Sequence, residues 1–243
     1  MERVALIAGG AKGIGRAVAL DLARNGWSVA IGYRRSEAAA AETMQGVQAA
    51  GASAMALRAD LSDPDAAAGV VRQVESAWGR IDALITTAGP YHRVPLLKET
   101  VEGWHTMFNN NLHPIFYLVQ AVSPGMIARR GGRIISFSMA NADQMIAQPQ
   151  LTAHYISKVG VLLLTRSYAK ALAPHGITVN AISPGFIASG SAPEEELQAM
   201  VKNIPAGYIG GVTDAVGAVR FLLSDDARYV NGSNIHLSGA WGI

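Results

Sequence analysis

The chain has 243 residues, half of them hydrophobic and 16% charged, which supplies a large buried core and argues against long disordered segments. A formal charge of +2, with no basic run longer than two residues, excludes a nucleic-acid face. The absence of cysteine excludes disulfides, thiolate metal sites and thiol nucleophiles. No apolar run approaches a membrane span, and the first strand starts too close to Met1 for a signal peptide, so a cytoplasmic protein without membrane contact is expected. No metal site is expected.

In chain order, Val4 to Ala8 reads as a buried strand, followed by a glycine-rich turn and a helix opening at Gly13 or Ile14. Asn25-Gly26 stops that helix and Ser28 to Tyr33 is a second strand. An alanine-rich helix spans Ser36 to Ala50, a third strand Ser53 to Ala59, and a third helix runs from Asp63-Pro64 to Trp78-Gly79. Ile81 to Thr87 is a fourth strand. A long helical region from Val101 to Ala128 precedes a strand at Arg133 to Ser138. Leu151 to Ala173 is a helix and Ile177 to Ile182 a strand. Helical stretches at Pro193 to Asn203 and Asp214 to Ser224 lead to a last strand at Asn234 to Leu237. This alternation predicts one α/β domain over residues 1–243: a doubly wound, Rossmann-type parallel sheet of about seven strands flanked by helices, with ligands beyond the carboxyl ends of the strands.

The turn after the first strand has the make-up of a pyrophosphate site. Gly9, Gly13 and Gly15 permit a tight turn, close approach of phosphate oxygens and close packing of the helix. The helix start presents free N–H groups and a positive dipole end, and Lys12 adds a full charge. Beyond the second strand, Tyr33-Arg34-Arg35-Ser36 places two guanidiniums and a hydroxyl where an acidic residue would hold an unphosphorylated ribose. Cations there suit a 2′-phosphate, so the expected cofactor is NADP(H).

Taken together, these motifs resemble the classical short-chain dehydrogenase/reductase family, and in particular its 3-oxoacyl-carrier-protein-reductase-like branch. Ala8-Gly9 through Gly13-Ile14-Gly15 matches the TGxxxGIG turn, with Ala for Thr. Asp60-Leu61 matches the acidic residue set against adenine. Thr86-Thr87-Ala88-Gly89 stands where the family has NNAG, leaving Ala88 and Gly89. Asn111-Leu112 matches the catalytic Asn-Leu, and Gly132-Arg133-Ile134-Ile135 the fifth strand. Pro184-Gly185-Phe186-Ile187-Ala188-Ser189 resembles the loop that closes over the nicotinamide, with Ile187 in it and Ser189 in place of a Thr that contacts the carboxamide. The resemblance implies hydride transfer between the nicotinamide and a carbonyl or alcohol carbon of a small-molecule substrate. It also implies a homotetramer formed through the long helices, and a lid at about residues 189–211.

The resemblance fails at the catalytic motif. The family's Tyr and Lys sit four apart on one helix, whereas Lys158 here is preceded by His154 at four and Tyr155 at three. At about 100° per residue the two flank the Lys158 meridian by roughly 40° and 60°, so either can be the proton donor; Tyr155 is preferred and His154 is its rival. Lys158 is expected to serve both catalysis and ribose binding. At the family's serine position stands Met139, preceded by Ser138, and the segment before the helix is about two residues long in excess. Ser138, Asn141 and Asp143 are the available hydrogen-bonding partners, with Ser138 taken as the catalytic candidate beside Asn111. Tyr91, His92, Met139, Met145, Phe186 and Tyr208 are candidates for the pocket wall, which points to an apolar or ring-bearing substrate. The family's Arg after Ile204-Pro205 is absent, so an acyl-carrier-protein substrate is not supported. The alternative reading is an NADP(H)-binding, non-catalytic sensor or structural subunit.

Overall fold

The computed structural model describes residues 2–87, 89–190 and 194–243. Seven parallel strands form one sheet in the order β3-β2-β1-β4-β5-β6-β9. They are β1 (Arg3–Ala8), β2 (Trp27–Tyr33), β3 (Ala54–Arg58), β4 (Ala83–Thr86), β5 (Gly132–Phe137), β6 (Ile177–Pro184) and β9 (Asn234–Leu237). A separate two-stranded pair, β7 (Ile187–Ala188) and β8 (Gly210–Gly211), ties the two stems of the expected lid together. The expectation of about seven parallel strands is met, and the short pair is an addition that two-residue strands cannot announce in a sequence.

Helices cover both faces. On one side α1 (Gly13–Arg24), α2 (Glu37–Ala49) and α7 (Val212–Leu223) bury Val18, Leu22, Val47, Val219 and Leu222, the first two helices over β1 and β2 and the last over β5 and β6. On the other, α3 (Pro64–Trp78), α5 (His113–Arg129) and α6 (Thr152–Leu172) bury Val70, Val74, Leu118, Val122 and Val161. Strands covered twice carry unbroken apolar runs: Ala5, Leu6 and Ile7 have no exposed surface. Burying one such large side chain is worth about 1.5–3 kcal/mol.

Residues 101–128 were expected to form one helical region and instead form two helices, α4 (Val101–Asn111) and α5, meeting at Leu112. Pro114 sits in the first turn of α5, where its missing N–H is harmless, and its ring stops α4 from running on. The last residue of α4 is therefore Asn111, buried at the break.

The register aligns the carboxyl ends. Ala8 is level with Gly32 on β2 and with Thr86 on β4, Thr86 with Ser136, and Ser136 with Ala181. The chain leaves β1 towards β2 on one side and reaches β4 on the other, so the crevice of a doubly wound sheet opens above Ala8. Among the described residues no helix is long and apolar enough to cross a membrane.

Candidate functional site

The crevice above β1 is lined by backbone. The Gly9 N–H donates to the Gly32 carbonyl at 2.9 Å, and Gly13 at φ 54 turns the chain into α1. A β-carbon at Gly15 would overlap the Gly9 carbonyl and meet Thr87 Oγ1 at 2.7 Å, so α1 reaches the turn only because that carbon is missing. Lys12 is the exposed N-cap of α1, and no side chain caps the helix start, which leaves its N–H groups facing the crevice beside Ile14. Thr87, which the resemblance places where the family has asparagine and to which no role was assigned, donates its hydroxyl to the carbonyls of Ala8 at 3.1 Å and Gly9 at 3.2 Å. A threonine therefore pins the glycine turn where the resemblance leads one to look for asparagine.

Further along, a cavity of about 240 Å³ opens between β2 and α4, lined by Gly9, Gly32, Arg34, Asp60, Leu61 and Gly89 among others. Arg34 lies across it, donating to Asn110 Oδ1 at 2.7 Å and 3.6 Å from the Asp60 carboxylate. The Ser62 hydroxyl donates to Asp60 at 2.7 Å and holds its carboxyl below the usual carboxylate range, with Arg34 assisting against the effect of burial. Arg35 is exposed. Ser36 is the N-cap of α2 and its hydroxyl is not used as a cap. Arg35, Ser36 and the start of α2 could hold an anion, while Arg34 is already partnered. Ala88 lies outside the described residues.

At the inner end, Asn111 is buried and donates its amide to the carbonyls of Met107 at 3.0 Å and Pro90 at 3.1 Å, while its Oδ1 has no partner among the described residues. A β-carbon at Gly89 would overlap that Oδ1 and lie 3.4 Å from Lys158 Nζ. Lys158 donates to the Phe137 carbonyl at 3.0 Å, and burial pushes its ammonium down to about 8. One turn earlier on α6, burial and then the nearby Lys158 charge push the His154 imidazole down to about 3, against an opposing effect of the Pro90 carbonyl. His154 Nδ1 is buried without a partner, and the Tyr91 ring packs edge-on against the imidazole at 5.1 Å.

Two of the expected catalytic hydroxyls already have partners within the protein. Tyr155, the preferred proton donor, is buried, and its hydroxyl is fully used: it donates to the Asn141 carbonyl at 2.8 Å and accepts from the Ile146 N–H at 3.2 Å. The offset of one residue turns Tyr155 toward the 141–146 segment, leaving His154 beside Asn111 and Lys158. Ser138 is also committed, donating to the Lys158 carbonyl at 2.8 Å, so it stitches β5 to α6. Asp143 accepts from His236 at 2.8 Å and Asn234 at 3.1 Å, which ties the same segment to β9.

Beside this cluster lies a large apolar cavity, about 810 Å³, lined by Tyr91, Met139, Asn141, Phe186, Met200 and Trp241 among others. Phe186 and Trp241 meet edge to face at 4.7 Å. Of the expected wall residues, Tyr91, Met139 and Phe186 take this place. Tyr208 lines neighbouring hollows, Met145 is exposed, and His92 pairs with Glu99 at 2.9 Å. The segment after β6 crosses the crevice. Pro184 accepts from the Ala140 N–H and Gly185 donates to Leu237, each at 2.9 Å. Ile187 is buried in β7, and the Ser189 carbonyl is 3.1 Å from a β-carbon built on Gly13. Residues 191–193 of the expected lid lie outside the described residues.

A glycine-built crevice at the switch point of a parallel sheet, ending beside a buried Asn-Lys pair, defines a dinucleotide-binding α/β oxidoreductase. The family model described as "Enoyl-(Acyl carrier protein) reductase" matches residues 9–240. The chain is 35% identical over 242 residues to the 3-oxoacyl-(acyl-carrier-protein) reductase FabG of Staphylococcus aureus (strain Mu50), covering 98% of each. It is 32% identical to the 3-oxoacyl-(acyl-carrier-protein) reductase of a Synechocystis species, covering 98% of this chain and 96% of that one. Among solved structures, a blue fluorescent protein from a metagenomic library in complex with NADPH superposes with a TM-score of 0.93 at 31% identity, covering 99% and 98% of the two chains. Levodione reductase superposes at 0.90 and 26%, covering 98% and 96%. The chain belongs to the short-chain dehydrogenase/reductase family, in its 3-oxoacyl-carrier-protein-reductase-like branch, a family of oxidoreductases.

Proposed function

We propose that this protein is an NADP(H)-dependent carbonyl reductase whose catalytic side chains are Asn111, His154 and Lys158. The observation that carries the reading is the buried trio itself: Asn111 Oδ1 and His154 Nδ1, both without partners among the described residues, stand with the Lys158 ammonium behind Gly89 of the crevice and Tyr91 of the apolar cavity. The glycines at 9, 13, 15, 89 and 185, with Lys12, Ile14 and Leu61, fit a dinucleotide. Arg35, Ser36 and Arg34 fit its 2′-phosphate, and Pro184, Ile187 and Ser189 its nicotinamide end. When bound, NADPH supplies the hydride that forms the new C–H bond as the carbonyl π bond breaks.

The proton for the carbonyl oxygen comes from the protein. At neutral pH His154 is uncharged, so it serves as a neutral N–H donor, a role known for imidazoles held below their ordinary value. The nearby Lys158 ammonium favours release of the imidazole proton to the oxygen, and the imidazole is reprotonated from solvent. No charged imidazole accumulates. The ring-lined cavity selects apolar or ring-bearing carbonyl compounds, with residues 189–211 as the lid. The outward faces of α4, α5 and α6 carry Val101, Phe116, Ile156 and Leu163, which fits assembly as a homotetramer; a cytoplasmic location agrees with the family.

The non-catalytic reading is favoured by one observation, the commitment of both Ser138 and Tyr155 inside the protein. Assaying NADPH oxidation with cyclohexanone, camphorquinone, menadione and 2-methyl-1-pyrroline, with NADPH binding followed by its fluorescence, separates the two. Reduction of at least one is expected; tight binding with no turnover on any supports the non-catalytic reading.

A further inference from the structure

We propose that Asn141 receives the substrate oxygen in place of the missing serine, and that Tyr155 is the positioning residue that holds it there. This rests on the reductase reading above. Asn141 has φ 59, in the left-handed region that asparagine tolerates better than most residues. Three contacts hold it so. The Tyr155 hydroxyl donates to its carbonyl at 2.8 Å. The preceding Ala140 N–H donates to Pro184 at 2.9 Å, which fixes the segment to the nicotinamide loop. Gly242, at φ 72, packs so closely that a β-carbon there would lie 3.1 Å from Asn141 Cβ.

The side chain held in this way lines the apolar cavity with Met139, Phe186 and Trp241. Asn141 is only 6% exposed, its Oδ1 is buried without a partner, and its carboxamide makes no hydrogen bond to the described residues. Buried carboxamide oxygens are nearly always bonded, and the same carboxamide carries two N–H donors on a cavity that Tyr91, the ring packed on His154, also lines. The hydroxyl next to the serine position cannot do the same work, because Ser138 is spent on Lys158. The extra residues between β5 and α6 supply the reach. Tyr155 spans that excess, gripping residue 141 with its donor and residue 146 with its acceptor, so a phenol displaced by one helix position steadies the replacement for the serine.

The test uses the full-length protein with NADPH and every panel compound that the wild type reduces. Asn141→Asp keeps the shape and removes the N–H donors; kcat/KM is expected to fall about 10²-fold with NADPH affinity unchanged, and Asn141→Ala to fall similarly. Wild-type turnover in Asn141→Asp overturns the proposal. Tyr155→Phe is expected to lower kcat several-fold, leave the pH profile in place, and accelerate hydrogen exchange at the Ile146 amide. A displaced pH profile or complete loss of turnover would mark Tyr155 as the donor and overturn its positioning role. A wild type that binds NADPH but reduces nothing removes the underlying reading, and the proposal with it.

Discussion

Around β1 and β2 the cleft is made of backbone, whereas around β5 and α6 it is made of side chains committed to one another. In the first region Gly13 and Gly15 leave room that a β-carbon would fill, and the Thr87 hydroxyl fastens the turn through the carbonyls of Ala8 and Gly9. In the second, one position of offset sends the Tyr155 hydroxyl to Asn141 and leaves His154 beside Lys158. Backbone sites tolerate changes of side chain and fail on changes of volume. Side-chain sites can be rebuilt, but each substitution commits its neighbours.

That contrast is broken most severely at Gly15. Gly15→Ala forces a methyl into the Gly9 carbonyl, and NADPH binding followed by nicotinamide fluorescence should be lost; affinity near that of the wild type would mean that the turn is free to move. The rebuilt side comes next. His154→Ala should lower kcat about 10²–10³-fold, while His154→Tyr, which restores a phenol four residues before Lys158, should raise it above the wild type. Equal kcat in all three would remove His154 from the chemistry.

Lys158 sharpens the comparison through stability. Its value falls from 10.5 to about 8 on burial, so between those pH values the unfolded chain binds the extra proton and stability rises with pH. Below the folded value the buried ammonium costs roughly 3 kcal/mol. Lys158→Met should therefore raise the Tm of the unliganded protein at neutral pH and remove the alkaline gain, both read by thermal melts across pH. The smallest effect is expected on the backbone-built side: Arg35→Ala should weaken NADPH about tenfold and leave NADH unchanged in parallel titrations. Equal loss for both cofactors would remove the 2′-phosphate assignment.

The cofactor half was legible in the sequence because its chemistry lies in which residues lack a side chain. Strand, glycine turn and helix follow each other without interruption, so Gly9, Gly13 and Gly15 and the parallel sheet could be read directly. The break at Leu112 was less visible, because Pro114 is as acceptable in a first helical turn as it is disruptive within a helix. At the catalytic end, His154 and Tyr155 differ by one helical step, and only the packing of residues 141–146 decides which of them turns inward. Asn141 could be noticed as a polar residue in an overlong segment. Its backbone conformation and its unpartnered amide depend on Gly242, 101 positions away, which no local pattern encodes.

The most direct test of the central claim, a working site that pairs a neutral imidazole with a buried lysine, is the pH dependence of kcat for NADPH oxidation. With His154 titrating near 3 and Lys158 near 8, the rate should hold level from about pH 5 to about pH 7 and then fall as the ammonium is lost above that plateau. A fall centred between about pH 6 and 7, where an unperturbed imidazole titrates, would contradict it by making the imidazolium the acid.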